Sequence, residues 1–174
     1  MKPHYFFSSV TRNSDLWRKP FDTAMVDRQD WSTGDYVVGR VTGKRNRLYQ
    51  CETKTGRMAD VVRGDLIIGA LGERAAPLEG VGDWRAVGEN LKLDALTGAG
   101  LLGKATSISP LLPELMSLDY LGHIMRNGRK LGMEDFVTPA PALKFDKPVV
   151  LLIGTSMSAG KTSSGQVIIR ALNY

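Results

Sequence analysis

Hydrophobic and polar positions alternate in short runs through most of the chain, and a helix-spaced pattern takes over only near residue 160. Tyr36-Val37-Val38-Gly39-Arg40-Val41 is rich in β-branched and aromatic residues, and Leu48 to Thr53 alternates opposite it across a basic turn, which predicts a hairpin. Asp60 to Val62 and Leu66 to Leu71 continue the pattern on either side of Arg63-Gly64-Asp65. Asn90 to Leu96 alternates, Leu101 to Ser109 is mixed, and Tyr120 to Met125 and Lys130 to Met133 flank Asn127-Gly128, the strongest hairpin signal in the chain. Helix is scarce before residue 160: only Asp83 to Glu89 and Leu111 to Leu118 are read as short helical turns.

These runs organise the chain. Residues 1 to 33 have no clear period and carry Trp17, Phe21 and Trp31 among polar neighbours, which predicts an irregular N-terminal arm that packs through its aromatics. From 34 to 137, short β-prone runs punctuated by Gly, Asp and Asn predict a β-rich domain, a small barrel or a sandwich. Ser109 to Ser117, with Pro110 and Pro113, reads as a surface loop, and Thr138-Pro139-Ala140-Pro141-Ala142 opens a stiff linker over 138–147. The fold class expected is α+β: a mainly-β N-terminal domain followed by the first β-α unit of an incomplete α/β domain over 148–174.

Composition narrows the class. An apolar share of 43% and a charged share of 24% in 174 residues are those of a globular protein with a real core. No apolar run approaches the roughly 18 residues of a membrane span, and the N-terminus has too short an apolar run for a signal peptide. With one cysteine, Cys51, the chain has no internal disulfide and no thiolate metal cluster, so a cytoplasmic location is expected. The net charge of +5 is spread, with its densest run at Arg40 to Arg47, read first as a solvated turn rather than a nucleic-acid surface.

Candidate chemistry gathers in the last third. An apolar run, Val149 to Ile153, enters a glycine-rich turn, Gly154 to Gly160, and Lys161, Thr162 and a helical segment to about Leu172 come next. Strand, loop and helix in that order suit phosphate binding: glycines let backbone N–H groups converge on one anion, and the helix N-terminus adds partial positive charge. A lysine supplies a mobile point charge and a small hydroxyl suits a hard cation. The sequence Gly154-Thr155-Ser156-Met157-Ser158-Ala159-Gly160-Lys161-Thr162 resembles the longer form of this P-loop, or Walker A, motif found in dethiobiotin synthetase and in cobyric acid synthase-type amidotransferases. The resemblance covers residues 148–172 and does not extend into the N-terminal region.

That resemblance implies an ATP- and Mg²⁺-dependent ligase or synthetase. Lys161 would contact the β- and γ-phosphates and act as the catalytic cation, Thr162 would hold Mg²⁺, and Gly154 through Ser163 would cradle the phosphates. The partners implied are a nucleotide and a small-molecule acceptor. Nucleic acid and membrane are not expected, and homo-oligomerisation stays open. Such a domain also needs an acidic residue on another strand and further strands beside Val149–Ile153. As it stands the chain is therefore expected to be an N-terminal portion, binding nucleotide weakly and not turning over. The alternative reading is a β-rich binding or assembly module without catalysis.

Other candidates are weaker. Thr97 to Ala105 has the glycine spacing of a nucleotide loop, but Ala105 replaces the needed hydroxyl, and Ser109-Pro110 blocks a following helix, so a bulged turn is expected. His4 and His123 have no zinc-ligand spacing, and His123 reads as a strand residue. Asp60, Asp65, Glu73, Glu79 and Asp83 read as turn formers before acid–base pairs.

Overall fold

The computed structural model describes residues 4–43, 50–76, 78–142, 144–155 and 159–173. They divide into two compact units, Met1–Thr138 and Pro139–Tyr174. The first is mainly β. Its strands are β1 (Tyr5–Phe7), β2 (Asp22–Ala24), β3 (Tyr36–Val41), β4 (Gln50–Glu52), β5 (Met58–Asp60), β6 (Leu66–Leu71), β7 (Glu73–Ala76), β8 (Gly80–Asp83), β9 (Lys92–Ala95), β10 (Leu101–Ile108), β11 (Ser117–Arg126) and β12 (Arg129–Lys130).

Among the described residues, ten of these strands form one mixed sheet in the order β1-β6-β3-β11-β9-β10-β8-β7, with β2 and β12 both pairing with β11. β10 also pairs in parallel with β6, Leu101 opposite Ala70 and Leu102 opposite Leu71. The pairings β6–β3–β11–β9–β10 therefore return to β6. The arm supplies two of the strands: β1 runs parallel to β6 and β2 antiparallel to β11.

Two packed cores explain why Tyr36-Val37-Val38 and Leu66-Ile67-Ile68 are continuous apolar runs rather than alternating ones. Val37, Val41, Ile67, Leu71, Leu93, Leu102, Leu118 and Tyr120 meet on one face of the sheet. Tyr36, Val38, Ile68, Ala70, Ile124, Leu16 and Leu131 meet in the second cluster, under Tyr5, Phe7, Val10 and Phe21 of the arm. A strand covered on both faces has no polar side to display.

Two expectations change in this unit. The hairpin across the basic turn is not formed: β3 pairs with β6 and β11, while Gln50–Glu52 pairs with Met58–Asp60. The reason is burial. β3 carries apolar residues of both clusters and so takes a central place between β6 and β11, whereas Gln50–Glu52 is only partly buried. Residues 44–49, which carry most of the Arg40 to Arg47 run, lie outside the described residues. Leu111 to Leu118 forms no helix, since β11 begins at Ser117. Asp83 to Glu89 does contain a helical turn, Trp84–Ala86, capped by the Asp83 carboxylate on the Arg85 amide.

The Asn127-Gly128 hairpin forms between β11 and β12, with both residues at positive φ as a tight two-residue turn demands. Among its described residues the second unit contains one helix, α1 (Lys161–Leu172). Val149 to Ile153, expected as a buried strand, has no regular secondary structure, and Val149 and Ile153 are 71% and 82% exposed. A strand needs a ladder, and the described residues of 139–173 offer no second strand to make one.

Candidate functional site

The loop between Ile153 and α1 is where the sequence places its chemistry. Gly160 caps the helix in the left-handed region, φ 77°, and as a glycine brings no side chain of its own to the first amides. The first amides of a helix have no carbonyl of their own helix to bond, so an end without a side-chain cap suits an anion. The first turn, Lys161-Thr162-Ser163, holds no acidic residue to oppose that charge. Ser164 N–H already bonds the Gly160 carbonyl at 2.9 Å and begins the helical ladder.

The loop closes on itself. A Cβ added at Gly154 would stand 2.9 Å from Ala159 Cβ, closer than side chains tolerate, and 3.1 Å from Lys161 Cγ. Gly154 is thus required for space, because the aliphatic stem of Lys161 folds back over its backbone. One turn further on, the α-carbon of Gly165 faces Leu152, where an added Cβ would lie 3.2 Å from Leu152 Cδ1. That contact leaves Leu152 38% exposed, well below its neighbours. The apolar run therefore lies against the start of α1, with the two ends of the glycine-rich turn brought together at Gly154 and Lys161.

Of the residues the motif singles out, Gly154, Thr155, Ala159, Gly160, Lys161, Thr162 and Ser163 are described, and Ser156, Met157 and Ser158 lie outside the described residues. The donor set suits a chain of phosphates: backbone N–H groups, one ammonium and small hydroxyls. For Mg²⁺ it offers the Thr162 hydroxyl, while the one carboxylate of the segment, Asp146, is exposed and sits 3.7 Å from Lys147. Among the described residues no group of three or more metal-ligating side chains forms.

The rival loop is a turn. Thr97 to Gly100 bends with Gly100 N–H on the Thr97 carbonyl at 3.1 Å and Gly100 at φ 94°. It runs straight into β10 and not into a helix, so no helix N-terminus faces it. The acidic residues are spent on local structure. Asp65 accepts from the Val62 amide at 2.8 Å, Asp60 from Gln50 Nε2 at 2.9 Å, and Glu79 pairs with Arg74. His123, in β11, is fully buried among Asp35, Tyr120 and Trp31. The expectation that His123 is a strand residue holds, while its buried partners Asp35 and Tyr120 are not anticipated by it, since no local pattern joins position 123 to 35.

No helix among the described residues is long and apolar enough to cross a membrane. Comparison with protein families, with curated proteins and with solved structures returns no match for this chain.

Proposed function

We propose that residues 148–173 are the phosphate-binding loop and first helix of an ATP-binding P-loop unit, of the dethiobiotin synthetase and cobyric acid synthase class, and that the β-rich region is its accessory domain. The observation that carries this reading is the closure of the loop. Gly154 meets the Lys161 stem at the start of α1, where the N-cap is a glycine with no side chain and the first turn holds no acid. The five strands whose pairings return on themselves are read as a small barrel with its own core.

In this reading Lys161 neutralises the outer phosphates, the loop amides orient them, and Thr162 offers its hydroxyl to Mg²⁺. Bound ATP with Mg²⁺ supplies the phosphoryl group that activates a carboxylate-type acceptor. No acidic ligand of the cation and no acceptor site is assigned within 139–173. A cytoplasmic location fits a chain with a single buried thiol.

The test is titration of the chain with Mg²⁺ and a fluorescent ATP analogue. Lys161→Ala should weaken binding at least about ten-fold, the cost of removing a charge-assisted phosphate contact. Gly154→Val, whose side chain would displace the Lys161 stem, should weaken it as well. Equal affinity for all three chains, or no saturable binding by the parent at millimolar nucleotide, removes the proposal. The module without catalysis would then stand.

A further inference from the structure

β11 changes face once, at a register shift between Tyr120 and Gly122. Tyr120 stands opposite Gly39, Gly122 opposite Val38 and His123 opposite Val37, so β11 spends one more residue here than β3. Residues three apart on a regular strand point to opposite faces, and one extra residue puts them on the same face. Tyr120 and His123 therefore meet inside the core.

Their contacts form a closed chain of hydrogen bonds. The Val26 N–H donates to Tyr120 Oη at 3.3 Å, so the phenol's own proton goes to His123 Nδ1, 2.6 Å away. The ring hydrogen is then on Nε2, which donates to Asp35 Oδ2 at 3.1 Å. The same oxygen accepts from Lys130 Nζ at 2.7 Å and from the Ser32 N–H at 2.8 Å. A neutral imidazole with its hydrogen on Nε2 satisfies every member.

This chain fastens one segment. β2 pairs with β11, Ala24 opposite His123. Val26 is held by Tyr120 Oη, and the Asp30 carbonyl accepts from Lys130 Nζ. The Trp31 ring lies 4.6 Å from Tyr120 and 5.5 Å from His123, with its Nε1–H on the Val26 carbonyl at 3.0 Å. Facing the imidazole are Tyr120 from β11, Asp35 from the turn before β3 and, through Asp35, Lys130 from β12. The carboxylates of Asp22, Asp27 and Asp30 on the fastened segment are exposed, and Arg28 bonds the Arg85 carbonyl.

We propose that His123 is a proton-operated clasp: neutral, it locks the segment 22–31 against β11, and protonated, it lets that segment go. A proton on Nδ1 turns the acceptor of the Tyr120 hydrogen into a donor. Tyr120 Oη then faces two N–H groups, and its own hydrogen loses its acceptor in a site closed to water. The new positive charge also falls beside a carboxylate that Lys130 already neutralises. Neither neighbour shares the change. Burial raises the Asp35 carboxyl, but the hydrogen bonds from His123, Lys130 and the Ser32 amide outweigh it and hold it below the usual range. Burial also pushes the Tyr120 phenol up to about 12.

The experiment is amide hydrogen exchange on the whole chain at about pH 7.5 and about pH 5, corrected for intrinsic exchange, alongside ¹⁵N spectra of its two histidines. Protection of residues 22–31 should fall at least ten-fold at the lower pH while β3 and β6 keep theirs. In His123→Gln the segment's protection should differ less than two-fold between the two conditions. Three results overturn the proposal: protection of 22–31 unchanged in the parent, equal loss throughout β3 and β6, or a His123 ring already doubly protonated at pH 7.5. Where His123→Gln does not fold, the parent's exchange and ¹⁵N spectra decide alone.

Discussion

At the scale of single residues, Asp35 carries more of the structure than its place in a turn suggests. Its Oδ2 accepts from Lys130, His123 and the Ser32 amide, and it is largely buried. Because these donors lower its proton affinity in the folded chain, the stability it contributes is fully present above the ordinary aspartate range. That stability is lost as the pH falls through the lowered folded value, below about pH 4. Asp35→Asn keeps the shape and removes the charge, leaving Lys130 beside a neutral amide. It should cost about 2 kcal/mol in urea unfolding at pH 7, a buried-pair loss discounted for the partly exposed Lys130 side chain. The gap between variant and parent should narrow as the pH falls below about 4, and a gap that keeps its full size throughout that fall would show that the contribution is steric. Asp35 carries no signal of this role in the sequence. Its partners at 123 and 130 carry none either, because no local pattern joins positions so far apart.

Among the elements, those whose signal is local are legible and those fixed by pairing are not. Asn127-Gly128 specifies its own turn through two positive φ values, and a helix over 161–172 follows from spacing and from the glycine before it. By contrast Leu48 to Thr53 is as good a partner for Tyr36–Val41 on paper as Leu66–Leu71. What decides between them is the burial of β3 in both clusters, whereas Gln50–Glu52 is only partly buried. The close approach of Gly154 to the Lys161 stem is of the other kind, since the glycine spacing points to backbone approach to phosphate and not to contact with the lysine stem. Within α1, Gly165 is a weak point of helix propensity at the place where Leu152 leans on the helix. Gly165→Ala should slow amide exchange in α1 roughly two- to five-fold, the equivalent of about 0.5–1 kcal/mol of helix preference. The Leu152 methyl need yield only a few tenths of an ångström. Faster exchange in the variant would mean that the Leu152 contact outweighs the helical gain.

For the whole molecule, the first unit holds both core clusters, and every residue in them lies before Thr138. A chain ending at Thr138 should therefore unfold with the parent's thermal midpoint to within about 3 °C, less than the shift expected from about 1 kcal/mol in a domain of this size. Cys51 gives a second reading of the same unit, since burial pushes its thiol up to about 12 and the native chain should resist alkylation. A lower midpoint or rapid Cys51 labelling in the shortened chain would place part of the first unit's stability beyond residue 138. The extra residue of β11 bears on this scale too, in how the chain aligns with other sequences. Any relative built without it must be aligned with a gap near Leu121. If that gap is left out, positions on one side of it match core to core while those beyond match core to surface. Genuine kinship would then look like chance over the strand that binds the sheet together.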